Sequence, residues 1–202
     1  QYNVHAGIKG KLSNSMSYNV NARYFAERSK AMYKLNSIYG DATEDYQFGN
    51  SYNIVYDDVK TFSFSGELNV DVNRNFKLGA KAAFFAYNTK DESEPWNLPD
   101  LTTSLFMDYQ IDEHWFAGAN IFFIGKRKDQ LSQVGSLVLP FQQTITLNSY
   151  FDANAHVGYK ITDQISAFAK VNNIANQTYQ KWLNFPVQGI QFLAGATYQF
   201  DF

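Results

Sequence analysis

Alternation with a period of two, sustained over segments of ten or so residues, is the feature that most restricts this chain. At the C-terminus, FLAGATYQFDF, one face carries Phe192, Ala194, Ala196, Tyr198, Phe200 and Phe202; the other carries Leu193, Gly195, Thr197, Gln199 and Asp201. A two-residue period places successive side chains on opposite faces of a strand. The pattern recurs along the chain. Tyr2, Val4, Ala6, Ile8 and Leu12 alternate with polar Asn3, His5, Lys9 and Lys11. Phe62, Phe64, Leu68, Val70 and Val72 oppose Ser63, Ser65, Glu67, Asn69 and Asp71. Similar runs occupy 16–26, 76–86, 101–111, 115–123, 145–159 and 165–171. This reading gives about nine strands, where soluble strands average about five or six residues.

The connections alternate as well. "SNS" at 13–15, "NRN" at 73–75, "DEH" at 112–114 and "TDQ" at 162–164 are tight turns. Between them lie long polar loops at 35–51, 90–99, 126–143 and 176–187. All short turns therefore fall at one end and all long loops at the other. Long alternating strands, short periplasmic turns and long extracellular loops define an antiparallel transmembrane β-barrel, apolar outside and polar inside. A soluble lectin-like sandwich would need mixed turn lengths and two apolar faces meeting in a core. The barrel also accounts for a mean hydropathy of -0.36, because half of each strand faces water.

Composition narrows the function. A net charge of -2 lacks the basic excess of a nucleic-acid surface, and the absence of cysteine removes disulfide and thiolate chemistry. No run approaches the ~18 apolar residues of a transmembrane helix. The last strand leaves the "TDQ" turn and ends on the periplasmic side, so the strand at 2–12 descends from outside. A complete bacterial barrel has an even strand count with both ends periplasmic. An odd count starting outside predicts at least one further strand upstream, with this chain as the C-terminal part of a larger barrel.

The segment KVNNIANQTYQKWLNFPVQGIQFLAGATYQFDF at 170–202 resembles the C-terminal region of TonB-dependent outer-membrane receptors. That family shows an Asn-rich stretch, a following Tyr, an aromatic-Pro-x-x-Gly segment and Gly-x-x-Tyr-x-Phe. Here these are Asn172, Asn173 and Asn176; Tyr179; Phe185-Pro186-Val187-Gln188-Gly189; and Gly195 with Tyr198 and Phe200. The family often has Arg after the Gly, where this chain has Ile190. The resemblance implies a 22-stranded barrel in the outer membrane of a Gram-negative bacterium, filled by an N-terminal plug not contained in residues 1–202. It implies uptake of a siderophore, cobalamin or glycan, energised through a periplasmic partner, with no cofactor and no catalysis. Phe192, Tyr198, Phe200 and Phe202 resemble the signal read by the barrel insertion machinery. Other expected neighbours are lipid, lipopolysaccharide, upstream strands, a plug, and a surface lipoprotein lid or larger complex. A plug-less structural barrel of an assembly or secretion complex, and a barrel enzyme, are the alternatives.

Candidate site residues are few. The loop aromatics Tyr39, Tyr46, Phe48, Trp96 and Phe141 are expected to contact ligand or to pack the loops. Asp152, Asn154 and His156 share one polar face, but neighbours at i and i+2 stand ~7 Å apart. A hydrogen-bonded catalytic pair would need a partner from another strand, and none is evident. His5 and His114 are isolated, and no loop has the EF-hand pattern. The acidic residues Asp41, Glu44, Asp45, Asp91, Glu92 and Glu94 read as solvated loop positions. Lys126-Arg127-Lys128 reads as a solvated outer rim or a contact to lipopolysaccharide phosphates. Lys9, Lys11, Arg23, Glu67, Asp71, Lys77, Lys81, Asp108, Lys160 and Lys170 should line the interior.

Overall fold

A computed structural model describes residues 2–35, 51–133 and 141–200. Its strands are β1 (Tyr2–Ser13), β2 (Met16–Leu35), β3 (Tyr52–Asn73), β4 (Phe76–Thr89), β5 (Leu101–Gln110), β6 (Trp115–Ile124), β7 (Arg127–Gln133), β8 (Phe141–Leu147), β9 (Tyr150–Lys160), β10 (Ile165–Asn172), β11 (Gln180–Trp182), β12 (Phe185–Pro186) and β13 (Gln191–Tyr198). Nine of these form one antiparallel sheet in the order β1-β2-β3-β4-β5-β6-β9-β10-β13. Strands β1 and β13 are its two edges and do not pair with each other.

The register converts the sequence alternation into two continuous faces. One row runs Tyr18, Leu68, Ala80, Leu105, Ile121 and Ala153 across six strands. Next to it lies Met16, Val70, Leu78, Met107, Ala119 and Ala155. Phe62, Phe84, Ile121, Val157 and Tyr198 all belong to this apolar face. The opposite face carries the row Lys9, Asn19, Glu67, Lys81, Ser104, Phe122 and Asp152, and the row Asp71, Lys77, Asp108, Gly118, His156 and Lys170. Aromatics exposed on the apolar face, such as Phe64, Phe84 and Tyr24, make a patch far larger than water tolerates.

The four tight turns share one device. A side-chain oxygen of the first turn residue accepts the backbone N–H two residues on: Ser13 from Ser15, Asn73 from Asn75, Asp112 from His114 and Thr162 from Gln164. Asn, Asp, Ser and Thr are turn residues because their short side chains can replace a backbone acceptor in this way. Asp112 Oδ1 also accepts the Trp115 N–H at 2.6 Å, and these backbone donors hold its carboxyl below the usual range.

The opposite end departs from the alternation reading. Residues 145–147 and 150–159 are not one strand. Ile145 and Leu147 belong to the separate β7–β8 hairpin, and Asn148 and Ser149 interrupt the path to β9. Leu147 buries its side chain against Leu35 and Leu183, so lipid is not its neighbour. Strands β2 and β3, at 20 and 22 residues, greatly exceed the ~9–11 that cross a bilayer. Their outer halves project beyond the other strands and carry the buried Met32, Leu35, Asp57 and Val59. Of the buried apolar side chains among the described residues, Met32, Val59 and Trp96 form one cluster and Leu35, Leu147 and Leu183 another.

Candidate functional site at the loop-bearing mouth

Three polar nodes fasten this end. Asp57, on the overhanging part of β3, accepts backbone N–H groups from Asp58, Lys90, Asp91 and Glu92 at 2.7–3.1 Å. Burial pushes its carboxyl up, and the four donors outweigh burial and hold it below the ordinary carboxylate range. The 90–99 loop is thereby clamped to β3. Glu92 continues the chain of contacts, accepting Trp96 Nε1 at 2.7 Å and pairing with Lys34 at 3.0 Å.

Asp129 is the second node and is fully buried. Its oxygens accept Tyr52 Oη at 2.7 Å and the backbone N–H groups of Gln130, Leu35 and Leu183. Burial, then the hydrogen bond to Asp129, drive the Tyr52 phenol far above its ordinary value. Tyr52 also packs edge-on to Trp182 and Phe185, and Tyr33 tilts against Trp182 at 4.7 Å. One carboxylate thus joins β2, β3, β7 and the β11–β12 loop.

The third node centres on a stack. Tyr150 and Tyr179 lie parallel, 3.8 Å apart, and Tyr179 Oη donates to Asp152 Oδ2 at 2.8 Å. Arg127 covers Tyr150 at 4.9 Å and donates Nη2 to the Gln180 carbonyl at 2.8 Å. Burial lowers its guanidinium pKa, opposed by Tyr150 and Asp129. A cavity of about 430 Å³ opens beside the stack, lined by Thr146, Asn148, Tyr150, Gln177 and Tyr179.

The Asn-rich stretch closes the node. Asn173 has φ 49° and is almost fully buried. Its side chain donates to the carbonyls of Gln177 and Gln188 and accepts the Gln177 N–H. Asn176, at φ 47°, accepts the Ile190 N–H, and a Cβ on Gly189 would stand 2.7 Å from its Oδ1. Asn tolerates the left-handed region and supplies local hydrogen bonds there. Asn172 pairs with Gln191, and Pro186 pairs with Gln180. Every one of these motif residues fixes the connection from β10 to β13.

Several sequence expectations change here. Trp96 is buried in the Met32–Val59 cluster and presents no free ring to a ligand. Tyr39, Tyr46 and Phe48, together with Phe202, lie outside the described residues, as does the side chain of Phe141 in β8. Arg127 is buried, so it is neither a solvated charge nor a contact to lipopolysaccharide, and Lys128 Nζ donates to Thr146 Oγ1. Glu92 is half-buried against Trp96 and Lys34, whereas Asp91 keeps its side chain exposed, as expected, and gives only its backbone N–H to the Asp57 clamp. His5 sits opposite Arg23, and His114 stacks on Tyr159.

On the polar wall, His156 shares the space over one glycine with Asp108, and no hydrogen bond or ion pair joins the two. His156 and Asp108 reach toward each other over Gly118, which lies between them on β6. A Cβ at Gly118 would run into the His156 ring and stand 3.1 Å from Asp108 Oδ1. Three aromatics of this face use the same arrangement: Phe106 lies over Gly79, Phe116 over Gly158 and Phe168 over Gly195. Ion pairs within 4 Å among the described residues all lie toward the loop-bearing end: Lys30–Glu27, Lys34–Glu92 and Lys90–Asp91. The wall charges Glu67, Lys81, Asp71, Lys77 and Asp108 face one another across strands without closing to that distance.

An apolar outer face, a polar inner wall and tied-down loops at one end make this sheet part of the wall of a transmembrane β-barrel. Solved structures specify the barrel further. The pyoverdine outer-membrane receptor FpvA from Pseudomonas aeruginosa PAO1 matches 98% of this chain with 29% of its own, at TM-score 0.70 and 17% identity. The ferric-catecholate import receptor Fiu from K12 E. coli matches 98% with 27%, at TM-score 0.67 and 15% identity. The copper transporter OprC matches 98% with 31%, at TM-score 0.69 and 13% identity. The chain has the barrel fold of TonB-dependent outer-membrane receptors and spans less than a third of their length. No family model matches the sequence, and no curated protein sequence does.

Proposed function

We propose that this chain forms the C-terminal portion of the barrel of a TonB-dependent receptor that imports a large or scarce solute. The observation that carries the reading is the overlay of nearly the whole chain on under a third of FpvA. The remaining strands and a plug would belong to the rest of such a protein. The polar wall, with its mixed charges and rings seated on glycines, suits contact with a hydrated plug. The mouth, with its three clamped connections, suits a rigid rim from which other loops capture solute. FpvA, Fiu and OprC handle pyoverdine, ferric catecholates and copper by their names, which favours a metal or metal chelate as the solute class. Phe192, Tyr198 and Phe200 serve in this reading as part of the insertion signal.

The test is uptake by cells expressing the full-length protein, compared with a deletion strain. Labelled ferric siderophore, cobalamin, copper and oligosaccharide should include one whose entry depends on both the protein and the proton-motive force. Protein-dependent entry of all four that survives collapse of that force, or no dependence on the protein, would sink the reading in favour of a structural barrel.

A further inference from the structure

The apolar face ends at a defined height. On β3 its positions run from Val72 through Val70, Leu68, Gly66 and Phe64 to Phe62. Ten residues at ~3.3 Å each, inclined by ~40°, rise about 25 Å, the height of a lipid-facing band. The next position on the same face is Lys60, paired with Ala26 on β2 and Asn88 on β4. Just below, Tyr24 lies opposite Phe62, and Tyr2 tilts against Tyr24 at 5.8 Å. This is the aromatic girdle expected where the band meets the headgroups.

Immediately above Lys60 the β2–β3 ladder is interrupted. Arg28 and Ser29 together oppose the single residue Asp58. Ser29 takes φ 52°, and its N–H donates to Asp58 Oδ1 at 3.1 Å. Arg28 keeps the parity of Tyr24 and Ala26, and the bulge shifts the pairing above it, setting Lys30 opposite Asp57. Arg28 then lines, with Lys60, Asp58, Asn88 and Tyr2, a cavity of about 400 Å³. Arg28 and Lys60 are exposed, and neither has an acid within 4 Å among the described residues. The neighbouring cations Lys30 and Lys90 are already paired, with Glu27 and Asp91. Two uncommitted cations, one of them within a pinned bulge, thus sit one step above the girdle on the lipid side.

We infer that Arg28 and Lys60, with the Asn88 amide, form a binding site for the phosphate groups of the glycolipid in the outer leaflet. The Arg fork grips phosphate oxygens in two parallel bonds, and Lys adds a point charge. Asp58 opposes part of this charge while holding the bulge in which Arg28 sits. The site adds a lipid contact to the proposed receptor and needs only that the sheet lie in the outer membrane.

The full-length protein, placed in nanodiscs, would be offered phosphorylated lipid A or its dephosphorylated form, with bound lipid read by native mass spectrometry. The wild type should favour the phosphorylated form by about tenfold or more. The double variant Arg28→Ala, Lys60→Ala should lose that preference by about tenfold, the scale of one strong charge-assisted contact. Asp58→Asn keeps an acceptor for Ser29 and should raise retention. Heat-modifiable migration on gels reports folding; if the double variant fails it, Lys60→Gln alone should lower the preference about threefold. An unchanged preference in the folded variants, or a fall in Asp58→Asn, overturns the site. Displacement of lipid A by millimolar inorganic phosphate would overturn the lipid assignment in favour of a free anion. The expected lipid retention in a protein that shows no protein-dependent solute uptake would count against the receptor reading only.

Discussion

The lipid-height part of the sheet and its loop-bearing mouth are stabilised in opposite ways. Across the band, large side chains such as Phe62, Phe64, Leu105 and Ile121 stay exposed on one face, and polar groups stay exposed on the other. Cohesion there comes from the strand ladders and from lipid around the apolar face. At the mouth, Asp57 and Asp129 are buried charges, each surrounded by four donors. The difference teaches where each region is fragile. A charge is costly on the lipid face of the band, whereas removing a charge is costly at the mouth.

The largest expected effect lies in the mouth. Asp129→Ala strands three buried backbone donors, leaves Tyr52 Oη only the Leu183 carbonyl, and should destabilise the β7–β8 and β11–β12 connections by about 3–5 kcal/mol. Hydrogen exchange at Leu35 and Leu183 should speed up while exchange in β5 and β6 is unchanged. Uniform acceleration would show that mouth and band are one cooperative unit. Next comes the band itself. Leu105→Arg, on the lipid face, should cost about 2–4 kcal/mol of folding free energy in vesicles, and Ser65→Arg on the polar wall under ~1 kcal/mol. Equal costs in urea titrations would erase the assignment of faces.

The two regions also differ in how far the sequence discloses them. Faces follow from a two-residue period, so Phe84 and Lys81 are sorted by position alone. The tight turns are equally local: Asn73, Asp112 and Thr162 each bind a backbone group two residues away. The mouth is built from partners far apart in the chain. Tyr52 Oη reaches the carbonyl of Leu183, 131 residues on, and Leu35 N–H reaches Asp129, 94 residues on. Nothing in "KRKDQ" distinguishes a buried Arg127 and Asp129 from solvated charges; only the tertiary fold supplies their donors and rings. Alternation misled at Ile145 and Leu147 for the same reason, since their apolar partners are Leu35 and Leu183 and not lipid. The Asn-rich stretch was legible as a motif, but its role as a lock on the β10–β13 connection needed the left-handed Asn173 and Asn176 in place.

A smaller effect probes that lock. Tyr179→Phe keeps the stack on Tyr150 and removes the bond to Asp152, whose other oxygen has no hydrogen-bond partner. A loss of about 1.5–3 kcal/mol, confined to the β10–β13 connection, is expected for a hydrogen bond to a charged group. Proteolysis near 177–188 should accelerate, and an unaltered cleavage rate would mean that stacking alone holds the loop.

The smallest effect is one of pH. Asp57 ionises more readily in the folded mouth than in an unfolded chain, because four N–H donors face its carboxylate. Its contribution is therefore complete above the unfolded value near 3.9 and is lost as pH falls through the lower folded value. Acidification below about pH 4 should loosen the 90–99 loop before the band responds, since strand ladders in lipid carry no such titration. Trp96 reports this directly: its ring is buried with Met32 and Val59, and its Nε1 donates to Glu92 within the clamped loop. Trp96 emission should shift to the red in that window. Asp57→Asn, which accepts fewer hydrogen bonds and carries no charge, should show the shifted emission already at neutral pH with little further change on acidification. A wild-type response centred above pH 5 would trace the transition to some other group and remove Asp57 as the acid-sensitive tie between mouth and band.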